Sequence, residues 1–320
     1  MKTNKYKPIR KRYQEEISSF EGWLKKRSYA KDTVRADSSY TASFLAWAEQ
    51  EQTRVAEVIY NDLLTFIDHC TTEGDSKRLV NRKLSAIRKY YSYLQYAGKA
   101  VKNPATGLFI KNKNRTVPSN LLTIEELTAI YENYRVTDLR SQRNKVIVGL
   151  LVYQGLTRAE VEKLETTHVK LTAGRIDIPG SKHSNGRTLK LEAVQMLGLQ
   201  EYISVTRPEL LSGQGVYGIG RKPDSINKGK AQNQLFVSMH GSDDMKDSFL
   251  HLINGLRRTN PKLANAQQIR QSVITVWLKT KDLQTAQYMA GHKYVSSTER
   301  YQVNQLDDLQ EALNQFHPLR

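Results

Sequence analysis

Along residues 13–98 the apolar positions recur every three to four residues, the period of helices that each bury one face. Ile17, Phe20, Trp23 and Leu24 predict a first helix, and Asp32 and Thr33 can open a second through Phe44, Leu45 and Trp47. A third is expected from about Val55 to Cys70, with Val58, Ile59, Leu63, Phe66 and Ile67 inward. TTEGDS (71–76) is turn material, and a basic fourth helix follows over about Lys77 to Gln95, burying Leu84, Ile87, Tyr91 and Leu94. Four helices on short turns form a self-sufficient bundle. Its aromatics belong mainly to the core, and Tyr90, Tyr91, Tyr93 and Tyr96 are the ones to consider outside it.

The periodicity stops at GKAVKNPATGLFIKNKNRTVPSN (98–120), where Pro104, Pro118, two glycines and several lysines read as a basic linker. Beyond it the pattern is mixed. Thr123 and Glu126 make a capping box for a helix, and 140–153 is an apolar, buried helix ended by Gly155. GRIDIPG (174–180) and GRTLKLE (186–192) alternate as the two strands of a hairpin with a basic loop. Helix resumes at about 192–204, whereas 207–234 is long, Gly-rich and expected to lack regular structure. Further helices are expected at about 245–258, 265–279 and 283–290, and a last one from about Leu306 to Phe316.

The expected fold is therefore mainly α with a small β-hairpin, an N-terminal four-helix domain preceding an α+β domain. At roughly 150 residues per domain, 320 residues suit two. The expected division is a basic arm or tail at 1–12, a helical domain at 13–100, a linker at 101–120 and a second domain at 121–320. One cysteine, Cys70, rules out an internal disulfide framework. The longest apolar run, VIVGLLVY (146–153), is far short of the roughly 18 residues of a membrane span. With no secretory signal in view, a cytoplasmic protein is the default.

Charge adds a direction. Lys and Arg number 49 against 32 Asp and Glu, a formal +17, which points to polyanions and to nucleic acid first. Residues 1–35 hold eleven basic side chains and four acidic, 36–75 one basic (Arg54) and eight acidic, and 76–115 eleven basic and none acidic. Such alternation suggests one positive and one negative face rather than a mixed solubilising surface. Candidate DNA contacts are Arg82, Lys83, Arg88 and Lys89 on the fourth helix, Lys111 and Lys113 in the linker, and His183 and Arg187 on the hairpin. Arg187 could equally pair within the hairpin.

No metal constellation, Walker loop or dinucleotide fingerprint is present in the sequence. Phosphoryl chemistry without a metal needs arginine forks, a lysine and imidazole to neutralise the phosphorane, together with a nucleophile. Lys182, Arg270, His292 and Tyr301 supply such a set. A tyrosine phenol, with its ordinary pKa near 10, is a weak nucleophile that depends on those neighbours.

In these segments the chain resembles the tyrosine recombinases, the phage integrase family. MAGHKYVSSTERY (289–301) looks like that family's glycine-histidine followed nine residues on by the nucleophilic tyrosine. IPGSKHSNGRTLKL (178–191) looks like its hairpin with the catalytic lysine, and QQIRQSVITVWL (267–278) like the helix with its second catalytic arginine. NRKLSAIRKYYSYLQYAGKAVKNPA (81–105) resembles the end of its core-binding domain, and LTIEELTAI (122–130) the opening of its catalytic domain.

The resemblance implies that Tyr301 attacks a scissile phosphate to leave a 3′-phosphotyrosine and a free 5′-hydroxyl. Lys182 would protonate the leaving oxygen, and Arg270 and His292 would stabilise the transition state, with no cofactor. It also implies double-stranded DNA as partner, a monomer in solution that assembles as a homo-tetramer on DNA, and an accessory DNA-bending protein as a candidate helper. The protein would be cytoplasmic, nucleoid-associated when DNA-bound, and the acidic segment 302–320 would suit docking to a neighbouring protomer. Integration or excision of a mobile element is the leading activity. A DNA-binding relative with weakened catalysis and a relaxing topoisomerase of the same chemistry are the alternatives.

Two positions depart from the family pattern. QGLTRAEV (154–161) puts Thr157 where the first catalytic arginine is expected, with Arg158 one residue later. One residue turns a helical side chain by about 100°, so Arg158 either reaches back or is a first-turn surface residue. Gln267 stands where the family has histidine or lysine, and glutamine can donate a hydrogen bond but carries no charge.

Overall fold

The computed structural model describes residue 11 and residues 13–111, 120–212, 231–239 and 241–302. Two compact units divide the chain between Arg115 and Thr116. The expected last helix (306–316) and Lys113 lie outside the described residues.

The first unit contains α1 (Gln14–Lys26), α2 (Lys31–Gln50), α3 (Tyr60–Thr72) and α4 (Lys77–Tyr96). Their apolar stripes share one core, in which Phe20 meets Tyr90 edge-on at 5.3 Å and Phe66 takes Trp47 at 5.2 Å. Tyr90 and Tyr91 are buried, the latter donating its hydroxyl to the Val55 carbonyl at 2.7 Å, whereas Tyr96 is exposed. The third helix starts later than its periodicity suggested. Val55–Glu57 is a separate 3-10 turn, and Ile59, expected inward, is exposed. Its N–H is taken by the Asp62 side chain at 2.9 Å, which caps α3 and holds the β-branched Val58–Ile59 pair extended.

Residues 103–110, read from the sequence as linker, lie along α4. Ala105 and Leu108 enter the core, and Asn81 exchanges two hydrogen bonds with Ile110, at 2.8 and 2.9 Å.

The second unit opens with α5 (Ile124–Glu132), capped by Thr123 and Glu126 as expected. Helix α6 (Leu139–Gln154) buries every residue from Val146 to Val152 and ends at Gly155 in the left-handed region, φ 57°. The one-turn α7 (Arg158–Val161) follows. The hairpin is real and gains a neighbour: β1 (Val169–Lys170), β2 (Arg175–Ile178) and β3 (Arg187–Lys190) form an antiparallel sheet in that order. Ile178 faces Arg187 and Ile176 faces Leu189 across β2–β3.

Helix α8 (Ala193–Glu201) continues through a wide π-helical turn (Tyr202–Thr206) into α9 (Arg207–Ser212). The wide turn falls just before Pro208, which has no N–H for the Ser204 carbonyl. Residues 207–212 are thus helical, contrary to the reading of 207–234 as irregular; 213–230 lie outside the described residues. The long loop signal was local glycine content, while Arg207 fixes the segment by donating to the carbonyls of Ala231, Gln232 and Gln234. Helices α10 (Lys246–Thr259), α11 (Ala266–Thr280), α12 (Leu283–Ala290) and the short α13 (Ser296–Glu299) complete the unit. No described helix is long and apolar enough to cross a membrane.

Candidate active site

Apolar packing decides where the chemistry goes. Ile269, Val273, Ile274 and Trp277 seat α11 in the core, and this carries Arg270 inward with them. Its guanidinium donates to the Gly155 carbonyl at the end of α6 and to the Ala290 carbonyl at the end of α12, both at 2.5 Å. Helix C-termini carry partial negative charge and orphan carbonyls, so one arginine serves two helix ends.

Glu160 is the carboxylate of this pocket. Thr157 caps α7, and both its N–H and its hydroxyl donate to Glu160 Oε2, at 2.8 and 2.9 Å. Oε1 accepts from Arg187 Nη1 at 2.7 Å, and Arg270 lies 3.6 Å from Oε2. Burial would raise this carboxyl, but the Arg187 hydrogen bond and charge, with Arg270 behind them, bring it below the usual range.

Gly291 ends α12 with φ 66° and turns the chain so that His292 joins the cluster. The hairpin loop is fastened here, since Asn185 N–H donates to the Gly291 carbonyl at 2.9 Å and Ser184 bridges His292. His292 Nδ1 is 2.7 Å from Thr298 Oγ1. Its pKa is pushed down to about 4 by burial, and then by the charges of Arg270, Arg300 and Arg187. The ring is therefore neutral at neutral pH, and the tautomer in which Nδ1 accepts the Thr298 hydroxyl would leave the Nε2 proton to donate.

Tyr301 stacks on His292 with 6.3 Å between ring centres and is fully buried. Arg300 lies over the tyrosine ring at 5.0 Å, and its Nη2 donates to the phenolic oxygen at 3.2 Å. Arg270, His292 and Tyr301, the set expected for metal-free phosphoryl chemistry, thus come together although they start from separate elements. Lys182 is exposed in the hairpin loop, two residues before the bridged Ser184, and His183 beside it is exposed too. Gln267 is exposed in the first turn of α11. Its buried neighbour Gln268 is the one that binds the local backbone, donating to the Asn120 carbonyl at 2.5 Å.

Several expected site residues are engaged elsewhere. Arg158 does not reach back into the pocket: its Nε donates to Glu162 at 2.6 Å, one helical turn on, and it stays 41% exposed. Lys83, a candidate DNA contact, is buried in an ion pair with Asp75 at 2.5 Å, because α4 turns that position toward the core. Arg88 donates to the carbonyls of Ala105 and Leu108, and Lys89 pairs with Asp37 at 2.6 Å. Arg82 and Lys111 remain exposed. Arg187 neither pairs within the hairpin nor reaches solvent, but points into the pocket. Glu160, Thr298 and Arg300 are pocket residues that the sequence reading did not single out as such. The signal for Arg187 was there: strict alternation along β3 puts it on the same inward side as Leu189.

Comparisons with known proteins converge on one family. Residues 120–307 match the phage integrase family, and residues 11–98 match the phage integrase N-terminal SAM-like domain. Tyrosine recombinase XerD of Staphylococcus aureus is 26% identical over 255 residues, which is 79% of this chain and 80% of that protein. The XerD of Staphylococcus saprophyticus is 25% identical over 77% of this chain and 78% of its own. Among solved structures, XerH bound to a palindromic difH substrate in a post-cleavage complex aligns with a TM-score of 0.68 at 18% identity, covering 91% of this chain and 83% of that one. The Tn1549 transposon integrase with transposon right end DNA aligns at 0.61 and 14%, covering 94% and 99%.

Proposed function

The chain belongs to the phage integrase family, whose members cut and rejoin DNA through a phosphotyrosine, and we propose that this one integrates or excises a mobile genetic element. Tyr301 releases its phenolic proton to solvent water as its oxygen attacks the scissile phosphate, the P–O5′ bond breaks, and the 5′-oxygen takes a proton from Lys182. The 3′-phosphotyrosine is resolved when a second strand's 5′-hydroxyl reverses the step. Arg270, held by two helix ends, and His292, donating through Nε2, bear the charge of the phosphorane.

What carries this reading is the gathering of Arg270, His292 and Tyr301 from α11, the end of α12 and the turn after α13 into one buried cluster. Because Tyr301 is fully buried, attack requires the 295–302 segment to turn the phenol outward. Double-stranded DNA is the substrate, bound with residues 13–100 as the core-binding domain and 121–320 as the catalytic domain. Protomers assemble as tetramers on DNA in the cytoplasm, with an accessory DNA-bending protein as a candidate helper. Arg82, His183, Lys111 and Lys113 serve as DNA contacts.

The replacement of the first arginine by Thr157 favours a second reading, a DNA-binding relative with weakened catalysis. Nicked suicide duplexes separate the two. The enzyme reading expects a covalent DNA adduct that disappears in Tyr301→Phe. Tight, site-specific binding with no adduct from the wild-type chain would establish the second reading instead.

A further inference from the structure

Arg187 is an arginine with an unused hand. Its side chain has no exposed surface, and Nε donates to the Met289 carbonyl and Nη1 to Glu160 Oε1, both at 2.7 Å. Nη2 is buried and has no hydrogen-bond partner among the described residues. An idle buried donor on a charged group is costly, and native structures rarely keep one without a use. Arg143 provides the internal contrast. It is equally buried, yet all three of its nitrogens donate, to the Val237 carbonyl and to Asn144.

The surroundings hold Arg187 in place for a ligand. A Cβ at position 291 would stand 2.5 Å from Nη1, so glycine there lets the guanidinium lie against the backbone leading into His292. Glu160 grips it from the other side, and Thr157 in turn anchors Glu160. The described cluster holds Arg187, Arg270 and Arg300 against the single carboxylate Glu160, a surplus of positive charge that suits a phosphodiester gaining negative charge at its pentacoordinate stage.

We propose that Arg187 is a catalytic residue, its Nη2 donating to a non-bridging oxygen of the scissile phosphate and supplying the positive charge that Thr157 lacks. The inference rests on the phosphotyrosine reading above. Arg187 exchanges no proton: Tyr301 Oη releases its proton to solvent water as its bond to phosphorus forms, the P–O5′ bond breaks, and Lys182 protonates the leaving oxygen. Arg158, engaged with Glu162, plays no part.

The test uses two suicide duplexes, one with a normal scissile phosphate and one with a methylphosphonate that removes a charged non-bridging oxygen. Full-length wild type, Arg187→Met and Arg187→Lys are compared for thermal unfolding, duplex binding and adduct formation. Both variants should bind the duplex and cleave the normal phosphate roughly 10²–10³ slower. Arg187→Met should recover most of the lost rate on the methylphosphonate, where the charge to be neutralised is gone. A wild-type rate on the normal phosphate, or an equal defect on both duplexes, would reduce Arg187 to a support for Glu160 and overturn the proposal. Should Arg187→Met fail to fold, Arg187→Lys decides by its rate on the normal phosphate alone: it keeps the charge and most of the packing but not the fork, so a loss of roughly 10²–10³ supports the Nη2 contact and a wild-type rate overturns it. Absence of any adduct from the wild-type chain is a separate result, which would overturn the phosphotyrosine reading and this proposal with it.

Discussion

On α4 three of the six basic side chains are occupied by the protein itself: Lys83 with Asp75, Lys89 with Asp37, and Arg88 with the carbonyls of Ala105 and Leu108. Around Glu160 the balance differs, because Arg187 Nη2 and Arg300 Nε are buried with no hydrogen-bond partner among the described residues. Both regions read from the sequence as positive. In the first, three cations staple a helix to its own unit, and in the second two buried guanidinium nitrogens are left unmatched among the described residues. Counting lysines and arginines cannot tell these apart, but following each nitrogen to its partner can.

The sharpest way to break this contrast is to remove the acid in each region. Glu160 compensates Arg187 and Arg270, whose side chains are 0% and 7% exposed. Glu160→Ala should therefore destabilise the catalytic unit by about 3–5 kcal/mol, the usual cost of orphaning a buried charge. Asp37→Ala should cost the first unit only about 1 kcal/mol, since Lys89 can turn to water. Chemical denaturation of the two variants measures this, and similar losses would erase the distinction.

The second prediction concerns pH. His292 titrates at about 4 in the folded chain, because of burial and the nearby Arg270, Arg300 and Arg187, with Glu160 opposing them. A free histidine titrates near 6.5. Between those values the unfolded chain binds the extra proton, so the His292 contribution is complete above about pH 6.5 and falls away as pH drops toward 4. The loss should reach at most about 3 kcal/mol. Urea unfolding of wild type and His292→Gln across this window isolates it, and parallel pH profiles would show that His292 is not held neutral by the cluster.

Much of this was legible beforehand, for reasons that differ by residue. The helices follow apolar periodicity, whereas Arg270 stands out only through the family resemblance of 267–278 and lies inward because Ile269 and Val273 beside it seat α11 in the core. Arg187 needed the β3 register, and the sequence reading left it undecided between the DNA backbone and the hairpin. Only the local half of Glu160's role is legible in the sequence, since its capping bond to Thr157 spans three residues whereas its bond to Arg187 spans 27. Lys83 and Arg88 were misjudged for the same reason. Their partners, Asp75 and the 105–108 carbonyls, depend on how the chain packs back along α4.

The smallest effect sharpens the comparison within α4 alone. Arg88 and Arg82 lie six residues apart on one helix, but Arg88 closes two backbone carbonyls at 2.9 and 2.7 Å while Arg82 is exposed. Charged hydrogen bonds contribute about 1.5–3 kcal/mol, so Arg88→Ala should lower stability by about 2 kcal/mol and leave the salt dependence of DNA binding nearly unchanged. Arg82→Ala should change stability by less than about 0.5 kcal/mol. If its guanidinium meets a phosphate, the slope of log K against log salt should decrease in magnitude by about 0.9, as one fewer counterion is released. Binding titrations between roughly 50 and 200 mM salt, paired with unfolding curves, read both axes. An Arg88→Ala slope that falls as Arg82→Ala's does would mean that the partnered arginine also serves DNA, and the division between structural and available charge on α4 would not hold.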